Sequence, residues 1–226
     1  MLGTDLHSHL IPGVDDGSRG AVETIAMARG LMEMGVTRLH LTPHQFRLGN
    51  DFTLTDLRGH VDETHRILAR AEIGLELVRS AEYYYGERFV DAITSGEELA
   101  TFLEGGETCL LVELPLQQPA VGVSRVAMAL RKRGIRPVMA HPERVSGLLD
   151  DRERVDSWRE AGWRFQLNLL SLTGHHGSRA ADLGHTLLEE GYYDFFGSDL
   201  HRPSQLEPLR RAREIAADYL ASETRS

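Results

Sequence analysis

The chain has 226 residues, a hydrophobic fraction of 41% and a formal net charge of −9. This length suits one α/β barrel and supplies a sizeable core, while the acidic balance argues against a broad nucleic-acid surface or attraction to anionic lipid. The single cysteine, Cys109, excludes an intrachain disulfide framework, no run of about 18 apolar residues offers a spanning helix, and the N-terminus lacks a basic region and an apolar signal core, so the expected setting is cytoplasmic without membrane insertion.

Thr4 to His9 reads as a strand, followed by a Pro12-Gly13 turn and the carboxylates Asp15 and Asp16. Ser18 is the expected N-cap of a helix over Ala21 to Met34, with Ile25, Ala28, Leu31 and Met32 on one side. Arg38 to Leu41 is a strand ending at Thr42-Pro43-His44, Gln45 to Asp51 a loop, and Thr53 to Ala71 a helix. Leu75 to Ala81 is the third strand, with Glu82 at its end, and a helical, Gly-interrupted connection covers Glu87 to Leu103. Thr108 to Val112 is an apolar run of the buried parallel type, closed by Glu113.

Helices are expected over Ala120 to Arg133, Asp150 to Ala161, Ser178 to Glu190 and Pro203 to Leu220, with a frayed tail from Ala221 to Ser226. Between them lie strands over Arg136 to Ala140, Trp163 to Asn168 and Tyr193 to Gly197. No linker, charge block or low-complexity run divides the chain, so residues 1–226 are expected to form one domain. Strand and helix alternate about seven times, the pattern of a parallel α/β sheet. A dinucleotide-binding reading needs a Gly-rich first turn. Here that turn carries Asp15 and Asp16, which would repel a pyrophosphate, so a barrel is favoured.

Ligand-type side chains fall at matching places. His7 and His9 end strand one on the same face, and Asp16 follows in the loop. His44 follows strand two. Glu82, Glu113 and His141 end strands three, four and five, and Asp199 and His201 follow the last strand. In α/β barrels the carboxyl ends of the strands meet on one rim. Solvated loops give no reason for six of seven strands to end in His, Asp or Glu. One tetrahedral zinc needs four ligands, so these five imidazoles and four carboxylates imply two or three ions sharing bridging carboxylates. Neighbouring ions activate water and stabilise an in-line displacement at phosphorus, which makes phosphate-ester hydrolysis the natural chemistry.

His7-Ser8-His9-Leu10-Ile11-Pro12-Gly13-Val14-Asp15-Asp16-Gly17, Thr42-Pro43-His44, Glu82, Glu113, His141-Pro142-Glu143-Arg144, Ser171-Leu172-Thr173-Gly174 and Gly197-Ser198-Asp199-Leu200-His201 occur in that order. Together they resemble the PHP (polymerase and histidinol phosphatase) superfamily. Within it they resemble the bacterial manganese-dependent protein-tyrosine phosphatases of capsule and exopolysaccharide loci. The resemblance implies a distorted (β/α)7 TIM-like barrel of the PHP type holding divalent ions, Mn2+ first, with Fe or Zn as alternatives. It implies that His7, His9, Glu82 and Asp199 hold one ion, Glu82, Glu113 and His141 a second, and Asp16, His44 and His201 a third. It further implies attack of a metal-bound hydroxide on phosphotyrosine in the tail of a membrane-associated tyrosine autokinase that controls polysaccharide polymerisation and export. The family grips the substrate phosphate with arginines, and Arg144 matches one. The second usually lies a few residues beyond Asp-x-His. This chain instead has Arg202 directly after His201, then Pro203, Ser204 and Gln205. Gln45-Phe46-Arg47 also stands where other members carry more basic residues.

Other candidates have plainer readings. Six positions after Cys109 stands Pro115 rather than Arg, so the cysteine-phosphatase motif is absent and Cys109 is read as a core thiol. His40 is expected to be packed, and His60, His65 and His185 to lie on helix surfaces. Asp5 could orient a ligand by hydrogen bond, and Asp15 is read as loop structure. Tyr83, Tyr84 and Tyr85, with His175 and His176, lie near the expected rim. Two rival functions remain: a histidinol-phosphatase-like enzyme for small phosphate esters, and a non-catalytic metal-stabilised binding module. The complete ligand set disfavours the second.

Overall fold

The computed structural model describes residues 3–47, 49–117, 120–148 and 151–223. Leu48 of the expected 45–51 loop, Asp150 as the expected helix start, and the last three residues of the expected tail lie outside them.

Three parallel strands, β1 (Thr4–Asp5), β2 (Arg38–Leu41) and β4 (Glu76–Arg79), are hydrogen-bonded in the order β1-β2-β4. Six more, β3 (His44–Gln45), β5 (Glu82–Tyr84), β7 (Glu107–Glu113), β8 (Arg136–Ala140), β9 (Arg164–Asn168) and β10 (Phe195–Gly197), pair in parallel in the order β3-β5-β7-β8-β9-β10. The two groups form one curled sheet, because β3 prolongs β2 beyond Thr42-Pro43 and β5 prolongs β4 beyond Ser80-Ala81. Ser80 N–H donates to Leu41 O and Glu82 N–H to Pro43 O, each at 3.1 Å, across these breaks. The outer strands also meet: Leu6 N–H donates to Phe196 O at 3.1 Å and Asp199 N–H to His7 O at 2.8 Å.

Among the described residues, α1 (Ala21–Glu33), α2 (Leu54–Arg70), α3 (Glu87–Thr94), α4 (Val123–Lys132), α5 (Arg152–Ala161) and α6 (Ser178–Glu189) lie between strands, and α7 (Leu206–Glu223) follows β10. Thr53 caps α2 in a reciprocal capping box with Asp56, and Asp151 caps α5 through Arg154 N–H. Ser18 does not cap α1. Its hydroxyl instead meets Gly20 O and Thr24 Oγ1, and Gly20 precedes the helix. The buried face of α1 is Thr24, Met27, Ala28 and Leu31, so Met27 rather than Met32 meets the core.

The largest departure from expectation lies between residues 87 and 107. The helix stops at Thr94, and Phe102–Glu104 forms β6, antiparallel to β7. Gly105 and Gly106 have φ of 58° and 82°, the positive pair that a two-residue hairpin demands.

Alternation along the strands separates two cores. On β7, Leu110 and Val112 join the main core beneath the helices, whereas Cys109 and Leu111 join a smaller cluster with Leu6, Phe102, Val138 and Ala140. Glu113 ends β7 in phase with Cys109 and Leu111. The inner face is therefore apolar along its length and turns acidic at its carboxyl end. At the opposite end lie partly exposed ion pairs: Arg38 to Glu76 and Glu104, Arg136 to Glu107, and Arg159 and Arg164 to Asp194. Such pairs contribute about 0–1 kcal/mol each.

Candidate metal centre

The loop after β1 brings the first donors into place. Ser18 N–H donates to His9 O at 2.9 Å and Gly13 N–H to Ser18 O at 2.7 Å, which folds residues 9–18 back on themselves. Gly17 packs so closely that a Cβ there would lie 2.2 Å from His9 O. Across the sheet, a Cβ on Gly197 would lie 2.6 Å from His7 Cβ. Both histidines are thus seated by backbone that only glycine permits.

The arrangement of His7 and His9 tests the fit of a cation. Their Nε2 atoms stand 3.1 Å apart. His9 Nδ1 lies 2.7 Å from Asp15 Oδ2, and a carboxylate only accepts, so Nδ1 carries the proton. His7 Nδ1 lies 2.9 Å from Gln166 Oε1, while Gln166 Nε2 donates to Leu167 O. In the neutral rings both Nε2 lone pairs therefore face each other. Two nitrogens sharing one ion at ordinary bond lengths stand roughly 3.0–3.4 Å apart. Around them lie Asp199 Oδ1, 3.5 Å from His7 Nε2 and 3.3 Å from His9 Nε2, and Glu82 Oε1, 3.3 Å from His7 Nε2.

Two further groups adjoin this one. Glu82 Oε1 is 3.1 Å from His141 Nε2, which is 3.9 Å from Glu113 Oε1. Asp16 Oδ1 is 3.2 Å from His44 Nε2 and 3.3 Å from His201 Nε2. His201 Nδ1 faces the carbonyl of Asp199 at 2.8 Å, so its Nε2 is also the free donor. Glu82 Oε2 and His44 Nδ1 lie 2.7 Å apart, yet neither has a hydrogen-bond partner among the described residues. All nine predicted ligand residues fall into overlapping sets with potential donor atoms within 4.8 Å of one another: His9, Asp16, His44 and His201; His7, His9 and Glu82; His7, His141 and Asp199; His44, Glu82 and Glu113. Most are buried, and Asp16 is exposed.

Backbone conformation aims two of them. His141 has φ 34° and Asp199 φ 50°. Strict alternation would turn His141 to the helix side with Met139, and the left-handed residue breaks that alternation. Such geometry costs roughly 1–2 kcal/mol in a non-glycine residue and concentrates at functional sites.

The charges show which sign the cluster favours. Burial alone would raise the Glu82 carboxyl, but His7 and His44 outweigh it and hold it well below the usual carboxylate range. Burial likewise opposes protonation of His7, and Glu82 and Asp199 overcome it, raising His7 to about 9. His44 is raised to about 11, against burial, by Glu82 and Asp16. Glu113 is pushed up to about 7 by burial and by the charge of Glu82. The buried carboxylates of Glu82 and Asp199 thus favour positive charge at this place.

Several supporting residues escaped the sequence reading. Asp15 holds His9, and Gln166 holds His7. Asn168 Nδ2 donates to Asp199 Oδ2 at 2.9 Å. Gln166 and Asn168 sit two apart on β9, a polar pair alternating with Phe165 and Leu167, and that alternation was the available signal. Asp5 Oδ1 accepts from the backbone N–H groups of His7 and Ser198, while the His7 ring faces Gln166. His176 Nε2 lies 3.0 Å from Asn168 Nδ2, and His175 lies near Gln205. His185, expected on a surface, is half-buried against Leu172 O and Tyr219. Tyr83 OH accepts from Ala100 N–H and Tyr85 OH donates to Val121 O, so those two are packing residues. Arg144 Nη1 donates to Asp199 Oδ2 at 2.6 Å. Arg202 Nη1 donates to the carbonyls of Asp16, Gly17 and His201.

Three comparisons bear on this arrangement. Tyrosine-protein phosphatase YwqE of Bacillus subtilis (strain 168) is 26% identical over 198 residues, covering 87% of this chain and 76% of that protein. Tyrosine-protein phosphatase CpsB of Streptococcus agalactiae serotype V is 26% identical over 204 residues, covering 87% and 82%. A chain from the crystal structures of YwqE from B. subtilis and CpsB from Streptococcus pneumoniae, described there as metal-dependent tyrosine phosphatases, superposes with a TM-score of 0.80 at 22% identity, covering 93% of this chain and 86% of that one. That likeness establishes an α/β fold with a curled parallel sheet. Residues 3–222 match the family model described as "Capsular polysaccharide synthesis, CpsB/CapC", and the chain belongs to that family.

Proposed function

We propose that this protein is a metal-dependent phosphoric monoester hydrolase that removes phosphate from tyrosine. Its substrate in this reading is the phosphorylated tail of a membrane-associated tyrosine autokinase. The reaction takes place in the cytoplasm and regulates capsular or exopolysaccharide synthesis and export. The observation that carries the reading is the facing pair of His7 and His9 lone pairs, surrounded by seven more buried or rim-placed donors. The names of the relatives support the substrate class.

In this reading residues 1–226 form one PHP-type domain, and the curled sheet is a distorted (β/α)7 barrel. The hydrogen bonds that join β1 to β10 support that description. Two or three divalent ions, Mn2+ first, are held by His7, His9, Glu82 and Asp199; by Glu82, Glu113 and His141; and by Asp16, His44 and His201. When bound, such ions supply an activated water and neutralise charge at phosphorus. The chain's own residues do the rest. Glu82 spans neighbouring groups. Asp15 and Gln166 fix the imidazole tautomers so that Nε2 points inward. Arg144 offers a planar, permanently charged fork to a phosphate dianion while it holds Asp199.

The test is hydrolysis of a phosphotyrosine peptide beside histidinol phosphate, with metal content measured on the same sample. The expected result is preference for the peptide, loss of activity with chelator, and recovery with Mn2+. Activity that survives exhaustive metal removal ends the mechanism, and preference for histidinol phosphate replaces the substrate.

A further inference from the structure

In the phosphatase reading Arg144 gives a phosphoryl dianion one charge-assisted contact, and a second guanidinium beside the cluster adds another. Arg202 is placed otherwise than Arg144: its Nη1 donates to the backbone carbonyls of Asp16, Gly17 and His201 and, among the described residues, to no candidate ligand carboxylate.

Arg47 is placed differently. Its Nη1 donates to Glu113 Oε2 at 2.5 Å, and its guanidinium lies 5.8 Å over the Tyr84 ring. Its side chain is 29% exposed. With Phe46, Tyr84, Glu113, Pro115 and Leu116 it lines a groove of about 490 Å³. That groove begins at a candidate ligand and runs between two aromatic side chains, with room for the aryl group of an ester.

The position is built rather than incidental. Phe46 has φ 64°, and Phe46 N–H donates to Asn50 O at 2.7 Å while Asn50 N–H donates to Arg47 O at 2.9 Å. Gln45 anchors the loop to Phe52, and Arg88 stacks on Phe46 at 4.2 Å. Arg47 also repeats the arrangement of Arg144. Each uses Nη1 to hold the second oxygen of a candidate ligand carboxylate, Glu113 at the end of β7 and Asp199 after β10. A guanidinium has five N–H donors, so each keeps others for a ligand. In strand order β8 and β9 stand between β7 and β10, so the two arginines grip carboxylates carried by separate strands.

We propose that Arg47 is the second phosphate-binding arginine of this protein, working with Arg144 in place of Arg202. The assignment rests on the phosphatase reading. Its test, however, reads binding rather than turnover. Calorimetric titration of the metal-loaded protein with inorganic phosphate and with O-phospho-L-tyrosine gives the dissociation constants, and elemental analysis gives the metal content. Arg47→Ala is expected to weaken both ligands by roughly 10- to 100-fold, the loss appropriate to a charge-assisted contact, with metal content and circular dichroism unchanged. Arg47→Lys is expected to recover part of that loss. Arg202→Ala is expected to lower metal content through the Asp16 loop before it alters phosphate binding.

Unchanged phosphate binding in Arg47→Ala overturns the proposal. So does loss of metal in both Arg47 variants, which would make Arg47 a support for Glu113 only. Weakened phosphate binding in Arg202→Ala at full metal content, with Arg47→Ala silent, returns the role to Arg202. A wild-type protein that binds phosphate tightly but leaves phosphotyrosine peptide intact refutes the phosphatase reading, while the binding comparison still decides the role of Arg47.

Discussion

The two oxygens of Glu82 face two different histidines: Oε1 stands 3.1 Å from His141 Nε2, and Oε2 stands 2.7 Å from His44 Nδ1. One fully buried carboxylate thus joins groups that start from separate strands. A bridging carboxylate also offsets repulsion between dications in one pocket. Glu82→Ala is expected to lose more than one metal equivalent and to stay folded, whereas His44→Ala chiefly weakens the group around Asp16 and His201. Elemental analysis beside circular dichroism reads both. A folded Glu82→Ala protein with its full metal complement would move the bridge to Glu113.

A second expectation concerns Gln166, which touches no candidate ion position directly and acts through His7 Nδ1. Gln166→Leu keeps the size and removes the acceptor, so the tautomer of His7 is no longer fixed. Losing such a partner typically costs 10- to 100-fold in metal affinity. Metal titration with a competing chelator should show that drop. Equal affinities in the two proteins would leave Gln166 as packing alone.

His40 gives a pH prediction away from the cluster. Both its ring nitrogens lack a hydrogen-bond partner among the described residues, its ring meets Phe102 edge-on at 4.8 Å, and Glu104 Oε2 is 3.8 Å from Nε2. Burial, then the Arg38 charge, pushes its pKa down to about 3. The unfolded chain takes up the proton near 6.5. Between pH 6.5 and 3 the unfolded state therefore binds a proton that the folded state refuses, so stability is full above that window and falls as pH drops through it. In metal-free protein, His40→Leu should lose less stability than wild type between pH 7 and pH 5 in denaturant titrations. Parallel pH slopes would refute it.

Cys109 lies in the inner apolar cluster with its thiol pushed up to about 11 by burial and the nearby charges of Glu107 and Glu104. Cys109→Ala should retain phosphotyrosine hydrolysis, and thiol-directed reagents should leave the native enzyme active. Loss of turnover in a folded Cys109→Ala protein would reopen a thiol mechanism.

The sequence made the rim legible because parallel strands all end on one side, so His, Asp and Glu at successive strand ends had to converge. It concealed what depends on distant partners. Asp15 reads as a turn residue until His44 N–H and His9 Nδ1 are seen on the same carboxylate oxygen. His141 and Asp199 carry no glycine to announce their left-handed backbone. β6 was missed because a polar Gly105-Gly106 hairpin sits inside a stretch that also suits a broken helix. Arg47 gained its interest only from the neighbours that folding supplied.

The bond from Ser198 N–H to Asp5 Oδ1 spans 193 residues. During translation, His7 and His9 leave the ribosome long before Asp199 and His201. A growing chain therefore cannot assemble the complete cluster until β10 and the residues after it have emerged, and contacts this remote form slowly. The grouping of His7 and His9 with Asp199 and His201 is thus a product of the whole fold, and a chain cut short before β10 keeps the two histidines without those partners.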